Sequence, residues 1–208
     1  EIRAMNDILR HRGPDDEGIY RDSDILLGHR RLSIIDLTEH GRQPMSNTEE
    51  NIWVVFNGEI YNFRTLRRNL ENKGHKFHSS SDTEVIIHGY EEWGADLFEK
   101  LDGMFAFGLW DKVKKELFLV RDGCGIKPLF YYCDGESLIF SSEIKGLLVT
   151  ELIERKINPQ SLSNYLSLFY VPAPESIIEN IRQVKPGSFI ISRTNDNLKE
   201  IKYWDLKD

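Results

Sequence analysis

Apolar and polar positions alternate along this chain with short, distinct periods. Ile2, Met5, Ile8 and Leu9 recur at helical spacing and predict an amphipathic helix ending near Arg10. Gly13-Pro14 and the acids after it read as a loop, followed by short strands at Ile19–Tyr20 and Ile25–Leu27 around a polar turn, Arg21–Asp24. The run Ile52-Trp53-Val54-Val55-Phe56 predicts a buried strand that ends at Asn57-Gly58, the strongest local turn signal in the chain. Phe63–Asn72 reads as a basic helix burying Leu66 and Leu70, with Gly74 as its stop. The next helix carries Val85, Ile86, Tyr90 and Trp93, and it starts in Ser79–Glu84. Either Asp82 caps it, or Ser81 does so with Glu84 three residues on, as in a capping box.

After a short helix at Ala95–Leu101 the pattern turns to strands. Met104–Trp110, Leu117–Arg121, Leu129–Tyr132 and Leu138–Phe140 predict an antiparallel meander. Ser141–Val149 reads as a short helix, and Asn158-Pro159 opens another through Leu168, with Asn158 as the cap and Pro159 in its first turn. Val171–Pro174 is extended and Phe189–Ser192 is a strand. No repeat or low-complexity linker divides the chain, so residues 1–208 read as a single domain. Strands run in blocks rather than alternating strictly with helices, which points to an α+β class rather than a doubly wound sheet.

Composition narrows the function classes. The 208 residues are 40% apolar and 29% charged, as in a globular domain. A net charge of −7 argues against a nucleic-acid surface. No apolar run is long enough to span a bilayer, and no charged-then-apolar leader opens the chain. Two cysteines form neither a disulfide framework nor a zinc pattern, so a cytoplasmic location is expected. The six histidines show no metal-ligand spacing, and His11, His29 and His40 read as structural loop residues. The chain begins at Glu1 inside a helical pattern, so residues preceding it in the full protein are expected.

Candidate chemistry starts at Asn57-Gly58. The pair reads either as an ordinary hairpin turn or as a side-chain amide and a backbone N–H placed to stabilise a developing oxyanion, with Glu59 and Tyr61 beside it.

Several strings then occur in one order: H-R-G-P-D-D-E-G from His11, G-H-R-R-L-S-I-I-D from Gly28, F-N-G-E-I-Y-N from Phe56, S-D-T-E-V from Ser81, G-M-F-A-F-G-L-W-D from Gly103, R-D-G-C-G-I-K-P-L from Arg121, F-S-S-E-I-K from Phe140 and Y-V-P-A-P from Tyr170. Together they cover nearly the whole chain, which resembles the glutaminase domain of class II glutamine amidotransferases, in the asparagine synthetase branch. The string L-G-H-R-R-L-S favours that branch over the glucosamine-phosphate synthase one. The resemblance implies an Ntn-hydrolase fold, a four-layer αββα sandwich of two antiparallel sheets.

By resemblance, Asn57 and Gly58 form the oxyanion hole for attack on the glutamine side-chain amide. Arg31 binds the substrate carboxylate, where a guanidinium fork fits best, and Leu32, Ser33, Ile34 and Ile35 line the slot. Glu59 and Asp82 meet the ammonium. The bland readings are a surface salt bridge for Arg31 and a helix cap for Asp82. The family's nucleophile is a cysteine at the mature N-terminus, which is expected ahead of Glu1, so this chain alone is expected to bind glutamine rather than hydrolyse it. The resemblance implies no cofactor in this domain. It implies ATP and magnesium in a synthetase domain that would follow it and convert aspartate to asparagine, and it leaves a homodimer open. Two other readings stay open: a non-catalytic glutamine-binding module, and a relative that aminates a different carboxyl acceptor.

Departures from the family pattern sit in Gly123-Cys124-Gly125. Cys124 and Cys133 are expected to be small buried thiols rather than nucleophiles. Arg121-Asp122 and Lys127-Pro128 read as a scaffold corner with an internal ion pair.

Overall fold

The structure is a computed structural model describing residues 1–32, 39–193 and 198–206. Its scaffold is a six-stranded antiparallel sheet. The strand order is β11 (Lys199–Lys202), β10 (Ser188–Arg193), β6 (Glu116–Arg121), β5 (Gly103–Asp111), β4 (Ile52–Ile60) and β3 (Met45–Ser46). Facing it lie a hairpin of β1 (Asp16–Arg21) with β2 (Leu26–Arg31), and a three-stranded sheet of β8 (Leu138–Ser141), β7 (Phe130–Cys133) and β9 (Ile181–Gln183).

Helices cover both outer faces. Helix α2 (Phe63–Asn72) turns Leu66 and Leu70 inward, and α3 (Glu84–Trp93) turns Val85, Ile86 and Tyr90 inward. They pack on Val54, Phe56 and Ile60 of β4, in one apolar cluster. The opposite face of β4 sends Val55 into a second cluster with Leu27 of β2 and Tyr131 of β7, which lies between the sheets. A third cluster joins Met5 of α1 (Ile2–Ile8) and Leu147 of α4 (Ile144–Leu148) to Ile181. Helix, sheet, sheet, helix is therefore the layer order, as the resemblance implies. Helix α5 (Pro159–Leu168) starts as expected, with Asn158 Oδ1 accepting from the Ser161 N–H at 3.1 Å and Pro159 in the first turn.

Several expectations about the fold fail. Strand β4 does not end at Asn57-Gly58; it runs through both to Ile60, in register with β5 from Ile52↔Asp111 to Ile60↔Gly103. The meander is split, because β5 and β6 belong to the large sheet while β7 and β8 belong to the facing one. At the corner between them Arg121 and Asp122 form no ion pair. Arg121 donates to the carbonyls of Gly125, Lys127 and Val184, while the Asp122 carboxylate accepts N–H groups from Phe105, Ile126 and Lys127. Backbone stranded by a change of sheet needs such partners. Cys124 and Cys133 are exposed rather than buried, Cys124 in the corner loop and Cys133 at the end of β7.

Candidate functional site

The free edge of β4 builds the site. Pairing with β3 ends at Met45↔Val54, and past it the even-numbered residues of β4 point their N–H and C=O groups away from β5. Side chains take three of them. Gln43 Oε1 accepts the Phe56 N–H at 2.6 Å, His29 Nε2 donates to the Phe56 carbonyl at 3.0 Å, and Asp82 Oδ2 accepts the Ile60 N–H at 2.9 Å. Gly58 lies between these two residues. Its cross-strand partner Phe105 turns its own polar groups toward Asp122, so the Gly58 N–H faces the same edge, and no group among the described residues accepts it.

Gly58 has φ +155°, and a Cβ there would lie 2.1 Å from the Met104 carbonyl oxygen, so no other residue fits this crossing. The Asn57 side chain projects to the inter-sheet face, as Val55 does. Its Nδ2 is buried and makes no hydrogen bond. Such an orphan donor is costly unless a ligand completes it. Asn57 and Gly58 both line a cavity of about 800 Å³ between the sheets, within the usual size of ligand sites.

The wall of this cavity is β2. Arg31 stands at its end, buried, in register with Asp16, and it lines the cavity together with the exposed Leu32. Ser33, Ile34 and Ile35 lie outside the described residues. Neighbouring Arg30 pairs with Glu17. On the far side Asp82 is buried just ahead of α3, and it lines the cavity too. Burial, reinforced by the charge of Glu59, pushes the Asp82 carboxyl up, while the Ile60 N–H pulls the other way. A bound ammonium would offset both upward effects. Glu59 itself is exposed and lies outside the cavity lining.

The capping box does not form. The Glu84 carboxylate accepts the His78 and Ser79 N–H groups, and the Thr83 N–H goes to Ser81 Oγ. Asp82 spends one oxygen on β4.

Two residues escaped the sequence reading. Gln43 sits in a polar loop with no pattern to mark it. His29 is on strand β2 rather than in a loop, and strand alternation places it on the same side as Arg31, the signal that could have found it. Its Nε2 donates to Phe56, which leaves Nδ1 as a buried acceptor with no partner. Burial holds the imidazole down to about 4, the Arg31 charge helps, and the Phe56 hydrogen bond and Asp16 oppose.

The arrangement thus offers paired N–H donors, a guanidinium and the buried carboxylate of Asp82 around one cavity. That is the complement of a carbonyl and an amino-acid zwitterion. Relatives fit this reading. Asparagine synthetase [glutamine-hydrolyzing] 1 of Bacillus subtilis is 41% identical over 95% of this chain and 31% of its own length. Asparagine synthetase [glutamine-hydrolyzing] 3 of the same organism is 38% identical over 98% of the chain and 33% of its own length, so the chain spans about a third of these relatives. A solved structure of glutamine phosphoribosylpyrophosphate amidotransferase from B. subtilis, complexed with ADP and GMP, superposes with a TM-score of 0.71. It is 21% identical, over 98% of this chain and 46% of that one, and shows the shared Ntn-hydrolase fold. The sequence pattern of the glutamine amidotransferase domain matches residues 1–204, and this chain belongs to that family.

Proposed function

We propose that the chain is the glutaminase half of an asparagine synthetase, which releases ammonia from glutamine for an ATP-dependent synthetase domain that amidates aspartate. The observation that carries this reading is the pair of unclaimed donors on β4, the Asn57 Nδ2 and the Gly58 N–H, side by side on one cavity. Attack on the glutamine amide puts negative charge on its oxygen, and preorganised donors there contribute a few kcal/mol, about two to three powers of ten in rate. Arg31 receives the substrate carboxylate beside Leu32, while Asp82 receives the ammonium, with the charge of Glu59 close to it. The nucleophile is a thiolate from a segment ahead of Glu1 in the intact protein; Cys124 and Cys133 are exposed and line no part of the cavity.

A joined synthetase domain, which would bind ATP and magnesium, suits a second feature. Leu166, Phe169 and Tyr170, on and just after α5, are 70%, 85% and 59% exposed, an apolar face of the kind that covers a partner. The test is glutamine-dependent glutamate release by the full-length protein, coupled to asparagine formation from aspartate and ATP. Release without asparagine points to another acceptor, and no release at all overturns the reading.

A further inference from the structure

We propose that His75, His88 and Glu91 form a divalent metal site of the zinc class, which ties the loop after α2 to helix α3. Among the described residues these three are the group that can each bring a ligand atom within 4.8 Å of the others. Glu91 Oε2 is the shared point. It lies 2.8 Å from His88 Nδ1 and 3.3 Å from His75 Nδ1. Ligand atoms on a tetrahedral ion bound at about 2.0–2.1 Å stand about 3.3 Å apart, so the spacing already approaches that of a coordination sphere.

The remaining ring nitrogens turn outward to carboxylates. His75 Nε2 lies 3.2 Å from Glu92 Oε2, and His88 Nε2 lies 3.5 Å from Glu84 Oε1. Asn47 Nδ2 holds the second Glu91 oxygen at 2.8 Å. This is the outer arrangement that metal-bound imidazoles use: one nitrogen for the ion, the other an N–H donor to a carboxylate that fixes the tautomer.

A neutral imidazole has one donor and one acceptor. The two rings stand with centroids 5.2 Å apart. A divalent cation between them takes the Nδ1 lone pairs and Oε2, and leaves each Nε2–H to its own carboxylate. The charges also balance, since Glu84, Glu91 and Glu92 face one cation, Lys73 on Glu92. The site lies on the helix layer, and none of its three ligands lines the inter-sheet cavity. Glu84 links it to the loop bearing Asp82, through the His78 and Ser79 N–H groups.

The test uses metal-free protein in a background with Cys124→Ser and Cys133→Ser, which removes the two exposed thiols as adventitious ligands. Cobalt(II) should give visible d–d absorption of a four-coordinate site at one equivalent. Zinc should displace it and raise the melting temperature. His75→Gln, in a half-buried position outside the apolar clusters, should weaken zinc binding about a hundredfold or more without unfolding the chain. Glu92→Gln, which supports a ligand without being one, should weaken it about tenfold. No cobalt band, no zinc-dependent melting shift, or the same zinc affinity in His75→Gln would overturn the proposal and leave a plain histidine–carboxylate network.

Discussion

In the proposed function single side chains decide whether the cavity accepts an amino acid. Arg31 is the cation of that proposal, and it is itself buried at the end of β2. Arg31→Ala in the intact protein should therefore raise the glutamine KM strongly while leaving ammonia-dependent synthesis unchanged, as steady-state assays with each nitrogen source will show. An unchanged glutamine KM would return Arg31 to a structural role. His29 gives a pH signature. Its imidazole is held at about 4 in the fold against an ordinary 6.5. The unfolded chain therefore binds a proton that the folded one refuses, and stability falls as pH falls from 6.5 toward 4, then levels. With ~1.4 kcal/mol per pH unit of separation, the loss is about 3 kcal/mol. Urea titrations at pH 7 and pH 4.5 should show this loss in the parent, and a smaller one in His29→Gln, whose amide can still donate to the Phe56 carbonyl. Equal losses in both would place the acid sensitivity elsewhere.

At the scale of elements, the free edge of β4 is held by side chains from three different segments. Gln43→Ala should strip the Phe56 N–H of its acceptor, cost about 1–2 kcal/mol in stability, and lower glutaminase kcat by loosening Gly58 two residues on. A variant with parental kcat would mean that the edge is fixed without Gln43. This edge also marks the limit of what patterning reveals. Helix α2 was legible to its end residues, because Leu66 and Leu70 repeat at helical spacing and the breakers flank it. Asn57-Gly58 was legible as a pair of donors but not as part of a strand. The local turn preference is outweighed by continuous pairing with β5, a partner more than forty residues away, which no local signal encodes. The corner at Arg121–Leu129 was legible as a corner but not in its bonding, since its bonds run from side chains to backbone rather than between the two charges. Strand β11 escaped because Lys199, Glu200 and Lys202 give an edge strand a polar surface.

For the whole molecule, the facing sheets and their helices form a cradle around an inter-sheet cavity, and an aromatic cluster packs on the helix side of the main sheet. Phe98 is fully buried at its centre, edge-on to Phe107, Phe118 and Phe189 with centroids 5.0–5.7 Å away. Phe98→Ala should cost about 3–5 kcal/mol in chemical denaturation; an unchanged midpoint would show that the cluster is not the keystone. No helix among the described residues is long and apolar enough to cross a membrane. The proposed function rests on the unclaimed donors of β4, and the most direct measurement is made on the full-length protein carrying Asn57→Ala. Glutamine-dependent glutamate release should fall about a hundredfold or more in kcat, while asparagine formation from free ammonia stays at the parental rate. A near-normal glutaminase kcat, or loss of both activities together, would contradict the assignment of Asn57 to the oxyanion hole.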